Sequence, residues 1–257
     1  MPSIAASCCE PVGENQTLPQ PPSPGGPDSP GAAIDSPLSD TQGYDLVVQQ
    51  LIPGYASLAR LSVALLTASP RAGRDGAAVL VAGCGTGAEL VEARAQRPDW
   101  RITAIDPSLA MLQAAQRRLG DGTIQWQQAR VEELHAEGCY AGALSVLVLQ
   151  SLPDDGTKLA FLSALARSLE PGGQLVLVDL MAPERSPLQA QVQAAWLGFQ
   201  RASGLSEQAS RQAALGQGLH PIGVARLTAL VNAAGFGDPA RIFQALGYEG
   251  FLLQRPA

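Results

Sequence analysis

Between residues 77 and 183 short apolar runs alternate with stretches of helical periodicity, and this alternation constrains the fold more than any other feature of the chain. The runs 78–82, 101–105 and 123–127 read as strands, with helices expected near 86–96 and 108–118 after the first two. ALSVLVL, 143–149, is apolar on both faces, as a central parallel strand must be. A helix over 156–169 should stop at Pro171-Gly172-Gly173, where proline forbids continuation, and QLVLVDL follows as a fifth strand. Strand, helix, strand in repetition implies right-handed crossovers. The expected fold class is therefore α/β: a Rossmann-like, doubly wound, mostly parallel sheet with helices on both faces.

The flanking segments add helical and antiparallel parts. Residues 44–67 carry apolar groups at helical spacing, broken at Pro53-Gly54, which predicts two helices meeting at an angle. Residues 183–221 read as a helical cap, with Trp196, Leu197 and Phe199 near Arg201, lying over the strands' carboxyl edge. A helix at 223–234, ended by Gly235, leads to strands near 240–245 and 249–254; Gly247 between them predicts a tight return and an antiparallel last strand.

The first 42 residues differ in kind. They hold nine of the 20 prolines, five acidic side chains and no Lys or Arg. Such a stretch buries too little apolar surface to offset its ordering entropy, so residues 1–42 are expected to be a disordered tail on a domain of residues 43–257. All 17 basic and 18 of the 23 acidic side chains lie in that domain, which is nearly neutral. Its one adjacent basic pair, Arg117-Arg118, falls late in a predicted helix, so no extended nucleic-acid surface is expected. Cysteines at 8, 9, 84 and 139 match neither a zinc site nor a disulfide framework, and His135 and His220 lack ligand-spaced partners, so no metal is expected. No window reaches about 18 uninterrupted apolar residues. A reduced, cytoplasmic protein without a membrane span is expected, with room for a homodimer.

In a doubly wound sheet the ligand sits beyond the carboxyl ends of the strands, and the first strand-to-helix turn meets it. Here that turn is VLVAGCGTG, with Gly83, Gly85 and Gly87 letting the backbone approach a ligand. Asp106 ends the second strand about 20 residues on, a spacing that suits a carboxylate accepting from ribose hydroxyls. Both features also occur in nicotinamide-dependent enzymes. Residues 150–257, however, offer no evident placed His, Tyr or Lys for a hydride-transfer half. Asp179, ending the fifth strand, is a candidate base.

VLVAGCGTG, AIDPSLAML, LEPGGQLVLVD and the terminal strand pair, in that order and at those intervals, resemble the class I S-adenosylmethionine-dependent methyltransferase family over residues 77–255. The resemblance implies that Gly83, Cys84, Gly85 and Gly87 border the methionine and ribose parts of S-adenosylmethionine, and that Asp106 holds the ribose. It further places Pro107, Ser108 and Met111 beside adenine, Val131 and Glu132 near its amino group, and Leu149 and Gln150 along the sulfur. Val81 stands where the family often has an acid, and so does Arg130. A narrower resemblance, to the carboxy-S-adenosylmethionine synthases of the tRNA wobble-uridine pathway, is carried by YDLVVQQLIPGYASL, VLQSLPDD, FQRASGLSEQASRQ and FQALGYEGFLL. That group holds the product's extra carboxylate with a cap arginine, which implies Arg201 or Arg211 here. Three functions are thus expected in order: methyl transfer to a small-molecule acceptor by in-line displacement, making or using a carboxylated cofactor, and cofactor binding without catalysis.

Overall fold

The computed structural model describes residues 43–120, 122–183, 186–206, 208 and 218–257. Two helices open this part, α1 (Tyr44–Leu51) and α2 (Tyr55–Thr67), separated at Gly54, whose φ of +82° only glycine adopts without strain. The alternation then runs β1 (Ala78–Ala82), α3 (Ala88–Gln96), β2 (Arg101–Ile105), α4 (Leu109–Leu119), β3 (Ile124–Gln127), β4 (Tyr140–Val146), α5 (Thr157–Ser168) and β5 (Leu169–Leu180). After α6 (Gln189–Ala202) come α7 (Val224–Ala234), β6 (Ala240–Ala245) and β7 (Tyr248–Gln254).

The seven strands form one sheet in the order β3-β2-β1-β4-β5-β7-β6, parallel except that β7 runs antiparallel to both its neighbours. The expected doubly wound, mostly parallel fold is thereby observed. Period-two alternation feeds both faces: Ala78, Leu80 and Ala82 of β1 join the core under α5 and α7, while Val79 and Val81 join the core under α2 and α3. Strand order reverses between β1 and β4. Their connections leave to opposite faces, and this opens a crevice at the carboxyl edge.

Three boundaries differ from the sequence reading. β4 covers Tyr140–Val146 rather than 143–149, because Leu147 turns to a φ of +61° and ends the strand although the apolar run continues. Leu149 belongs to a 3-10 turn, Leu149–Ser151, and its side chain fills the α5-side core. The α5 helix stops at Ser168, before Pro171, since the ring of Pro171 disfavours helical geometry at Glu170. The segment from Leu169 is instead extended and pairs with Tyr140 across a register shift.

In the segment read as a cap, α6 also meets the strands' carboxyl ends, its Trp196 packing in one cluster with Leu147 and Leu180. α6 packs on α1, where Trp196 donates its indole N–H to the Leu51 carbonyl at 2.8 Å and meets Tyr248 edge-on at 6.1 Å. Residues 1–42, Arg211 and most of 207–217 lie outside the described residues.

Candidate functional site

The glycine turn is pinned to the neighbouring strand before any ligand is considered. Gly83 and Cys84 both donate to the Ile105 carbonyl, at 2.9 and 3.0 Å. Asp106, one residue on, accepts from the Gly85 N–H through Oδ2 at 2.9 Å and from the Ser108 N–H through Oδ1 at 2.8 Å. Its carboxylate is buried, and burial raises its pKa against the pull of those two donors. Each oxygen keeps a second lone pair.

The three glycines prove to serve three purposes. A Cβ at Gly83 would lie 2.3 Å from Val148 Cγ2, and one at Gly87 would press Ala115 and Leu119 of α4 at 3.2 Å. Those two therefore fit protein against protein. Only Gly85, at φ +50°, faces open space. Cys84 points into the α2–α3 core, and burial pushes its thiol up.

Beside this turn lies a cavity of about 60 Å³ whose lining includes Gly83, Pro107, Val131, Glu132 and Val148. Four residues that the sequence reading tied to the cofactor thus meet around one apolar space, with Arg130 at its rim. Met111 sits one turn further along α4, its N–H on the Ser108 hydroxyl at 3.4 Å. Leu149 and Gln150 do not line the cavity. Leu149 is in the core, and the Gln150 side chain accepts from the Leu180 N–H at 2.8 Å. Val148 is the residue of that turn that meets the glycine loop; the apolar run contained it, but the period did not distinguish it from Leu149.

Asp179 occupies the matching position on β5 in quite different surroundings. It is 2% exposed, and its Oδ1 accepts from the Gln150 N–H at 2.9 Å. Burial pushes its carboxyl up to about 8, opposed by that donor and by Lys158. Lys158, fully buried, donates to the Leu149 carbonyl. His220 donates its backbone N–H to the Gln150 carbonyl at 2.6 Å, and His135 is exposed. Asp179 therefore braces the turn after β4, an arrangement the sequence did not disclose.

The α1 helix straps the other side of the glycine turn. Asp45 accepts from the Thr86 hydroxyl at 2.5 Å and pairs with Arg118 at 2.7 Å, so the adjacent-arginine feature has a partner after all. Tyr44 of α1 and Tyr55 of α2 are half-buried beside Glu89; burial pushes the Tyr44 phenol up to about 12 and raises that of Tyr55 as well. Arg201 is exposed on α6. Among the described residues no three His, Cys, Asp or Glu side chains come together to hold a metal, and no helix is long and apolar enough to cross a membrane.

Residues 79–173 match the methyltransferase domain family. The likeness to methyltransferases expected from the sequence is thus found over that stretch. The carboxy-S-adenosyl-L-methionine synthase of Shewanella sp. strain ANA-3 is 30% identical over 131 residues, 49% of this chain and 53% of that protein. The chain thus matches about half the length of that relative. The synthase of Shewanella amazonensis is 27% identical over 80% of this chain and 86% of its own. Solved methyltransferases share the fold of the domain at low identity. Human N-acetylserotonin methyltransferase in complex with S-adenosylmethionine aligns with TM-score 0.57 and 16% identity over 86% of this chain and 58% of its own. The Burkholderia thailandensis 1,6-didemethyltoxoflavin-N1-methyltransferase aligns with TM-score 0.55 and 21% identity over 87% and 94%.

Proposed function

We propose that the domain transfers a methyl group from S-adenosylmethionine to a small-molecule acceptor. The observation that carries this reading is the junction at the β1–β2 edge, where Gly85 faces open space, Asp106 holds two spare lone pairs, and an apolar cavity lies alongside. The residues fit the group. Asp106 would take the ribose hydroxyls, Pro107, Val131 and Glu132 would border adenine, and the turn at Gly85 with Val148 would face the sulfur-bearing end. Bound there, the cofactor supplies an activated sulfonium methyl. The chain's own work is to hold the acceptor close and in line while excluding water.

The nearly neutral domain favours a small-molecule acceptor over a polyanion. Asp179 serves this site as a positioning residue, because one oxygen of its carboxyl holds the turn that carries Val148. Titration calorimetry with S-adenosylhomocysteine tests the cofactor half: micromolar binding is expected, and no binding by the folded protein overturns it. Label transfer from methyl-labelled S-adenosylmethionine to small molecules of a cell extract tests the catalytic half; binding without transfer leaves a cofactor-binding module.

The likeness to carboxy-S-adenosyl-L-methionine synthases favours a second reading, a carboxylated cofactor. A cationic partner for the extra carboxylate would come from Arg201 or Arg211. The mass of the nucleoside retained by protein purified from cells decides between the two, since the carboxylated species is heavier by one carboxylate.

A further inference from the structure

A second cavity, of about 220 Å³, opens at the far end of the same sheet edge. Its lining includes Met181 after β5, Gln189 and Val192 of α6, Arg241 and Gln244 of β6, and Glu249 of β7. Among the described residues it shares none with the cavity beside the glycine turn. We propose that this cavity is a binding site for a small zwitterion of the α-amino-acid type, with Arg241 taking the carboxylate and Glu249 the ammonium. The site stands apart from the cofactor's own amino-acid end, since β7 is three strands from β1, about 14 Å at the ordinary strand spacing. Binding there is independent of the methyl-transfer reading.

Sheet register builds the charge pattern. Glu249 lies directly opposite Asp179 across the β5–β7 ladder, so both side chains leave the sheet on one face. Two ionised carboxyls there would repel. Asp179, sealed by burial, keeps its proton up to about pH 8, which leaves the negative charge of the pair to Glu249. Glu249 is buried yet lines the cavity, and its Oε2 lies 2.8 Å from Arg241 Nε in an ion pair. Arg241 is exposed; its Nη1 reaches Gln244 Oε1 only at 3.5 Å, and its Nη2 has no partner among the described residues. The guanidinium is therefore anchored on its Nε side and open at the fork that matches a carboxylate. A carboxylate accepts about four hydrogen bonds, so Glu249 can take an ammonium without releasing Arg241.

One buried anion beside one cation selects the class of ligand. A lone anion would be set beside Glu249 and a lone cation beside Arg241, each a like-charge contact, whereas a zwitterion meets an opposite charge at both poles. Met181 and Val192 leave an apolar wall for a side chain. The volume equals about seven water molecules' share of the liquid, the scale of a free amino acid.

Titration calorimetry on the full chain with L-leucine, 4-methylpentanoate and 3-methylbutylamine tests the assignment, because the three share one apolar body and differ in charge. Saturable binding of L-leucine is expected, with each singly charged analogue at least about tenfold weaker. Arg241→Gln should weaken L-leucine by at least about tenfold at an unchanged unfolding midpoint, while 3-methylbutylamine, freed of a like charge, binds no more weakly than before. Glu249→Gln should likewise weaken L-leucine and spare 4-methylpentanoate; if that buried substitution unfolds the chain, Arg241→Gln and the ligand series decide. No binding of L-leucine by the unmodified protein, equal binding of all three ligands, or L-leucine affinity retained in Arg241→Gln overturns the proposal. S-adenosylhomocysteine titrated in parallel keeps the two readings apart: its failure to bind while L-leucine binds overturns the cofactor reading and leaves this site standing.

Discussion

Two aspartates end parallel strands at the same edge of one sheet, Asp106 on β2 and Asp179 on β5, and they do opposite things. Asp106 braces the glycine turn with one lone pair on each oxygen and keeps the others, next to Pro107 of the cavity wall. Asp179 is sealed beneath the turn after β4, on the Gln150 N–H and near the buried Lys158. In the cofactor reading proposed above, the first is completed from outside. The second is held from within through Oδ1, while its Oδ2 is buried without a hydrogen-bond partner. A carboxylate at a strand's end is therefore a ligand group only where the next turn leaves it uncovered.

The largest effect is expected where the two ends touch. Gly83→Ala combines a 2.3 Å contact with Val148 and a φ of +72°. Overpacking costs about 1–3 kcal/mol and left-handed geometry about 1–2 kcal/mol more. Urea unfolding should show a loss of about 2–5 kcal/mol; a loss under 1 kcal/mol would mean the two turns are not packed as described.

Asp179→Ala comes next. It leaves the buried Gln150 N–H without an acceptor, at a cost of about 1–3 kcal/mol in stability. Asp179→Asn keeps an acceptor oxygen and should lose less. If S-adenosylhomocysteine affinity fell while stability held in both variants, Asp179 would belong to the open end and the contrast would collapse.

Asp106→Ala should show the converse. Affinity for S-adenosylhomocysteine falls by at least about tenfold, or about 1.4 kcal/mol, while the unfolding midpoint moves little, because Gly85 and Ser108 lie where water can replace the lost acceptor. Unchanged affinity would remove Asp106 from the cofactor site.

The contrast also sharpens through pH. Asp179 holds its proton in the folded state up to about pH 8 but releases it near the ordinary carboxylate value of 3.8 when unfolded. In that window the native state binds more protons, so this group's share of stability is present at low pH and declines as pH rises toward 8. Melting temperatures of the unmodified protein should fall across the window more steeply than those of Asp179→Asn. Parallel curves would show that the carboxyl is ionised throughout.

Much of this was legible in the sequence. Strand and helix alternation, the break at Pro53-Gly54, the return at Gly247 and the pairing of VLVAGCGTG with Asp106 all depend on short-range periodicity and turn chemistry. Local sequence carries those signals faithfully. The wall of the cavity around Gly83, Pro107, Val131 and Glu132 was anticipated only through the family resemblance. What the sequence left open were contacts between segments far apart along the chain. Nothing local distinguishes Val148 from Leu149 in an apolar run, yet the left-handed turn at Leu147 sends one to the glycine loop and the other into the core. Nothing local tells Gly83 and Gly87, which fit protein to protein, from Gly85, which faces open space.

The sequence by itself determined the fold class, the order of its elements and the place of the glycine turn, because each follows from hydrophobic period and from residues that permit or forbid a turn. The tertiary structure alone decided which acids are available. The sheet order sets Gln150 against Asp179 and α1 against Thr86 and Arg118, and whether a carboxyl finds its donor inside the protein or awaits one from a ligand depends on that arrangement.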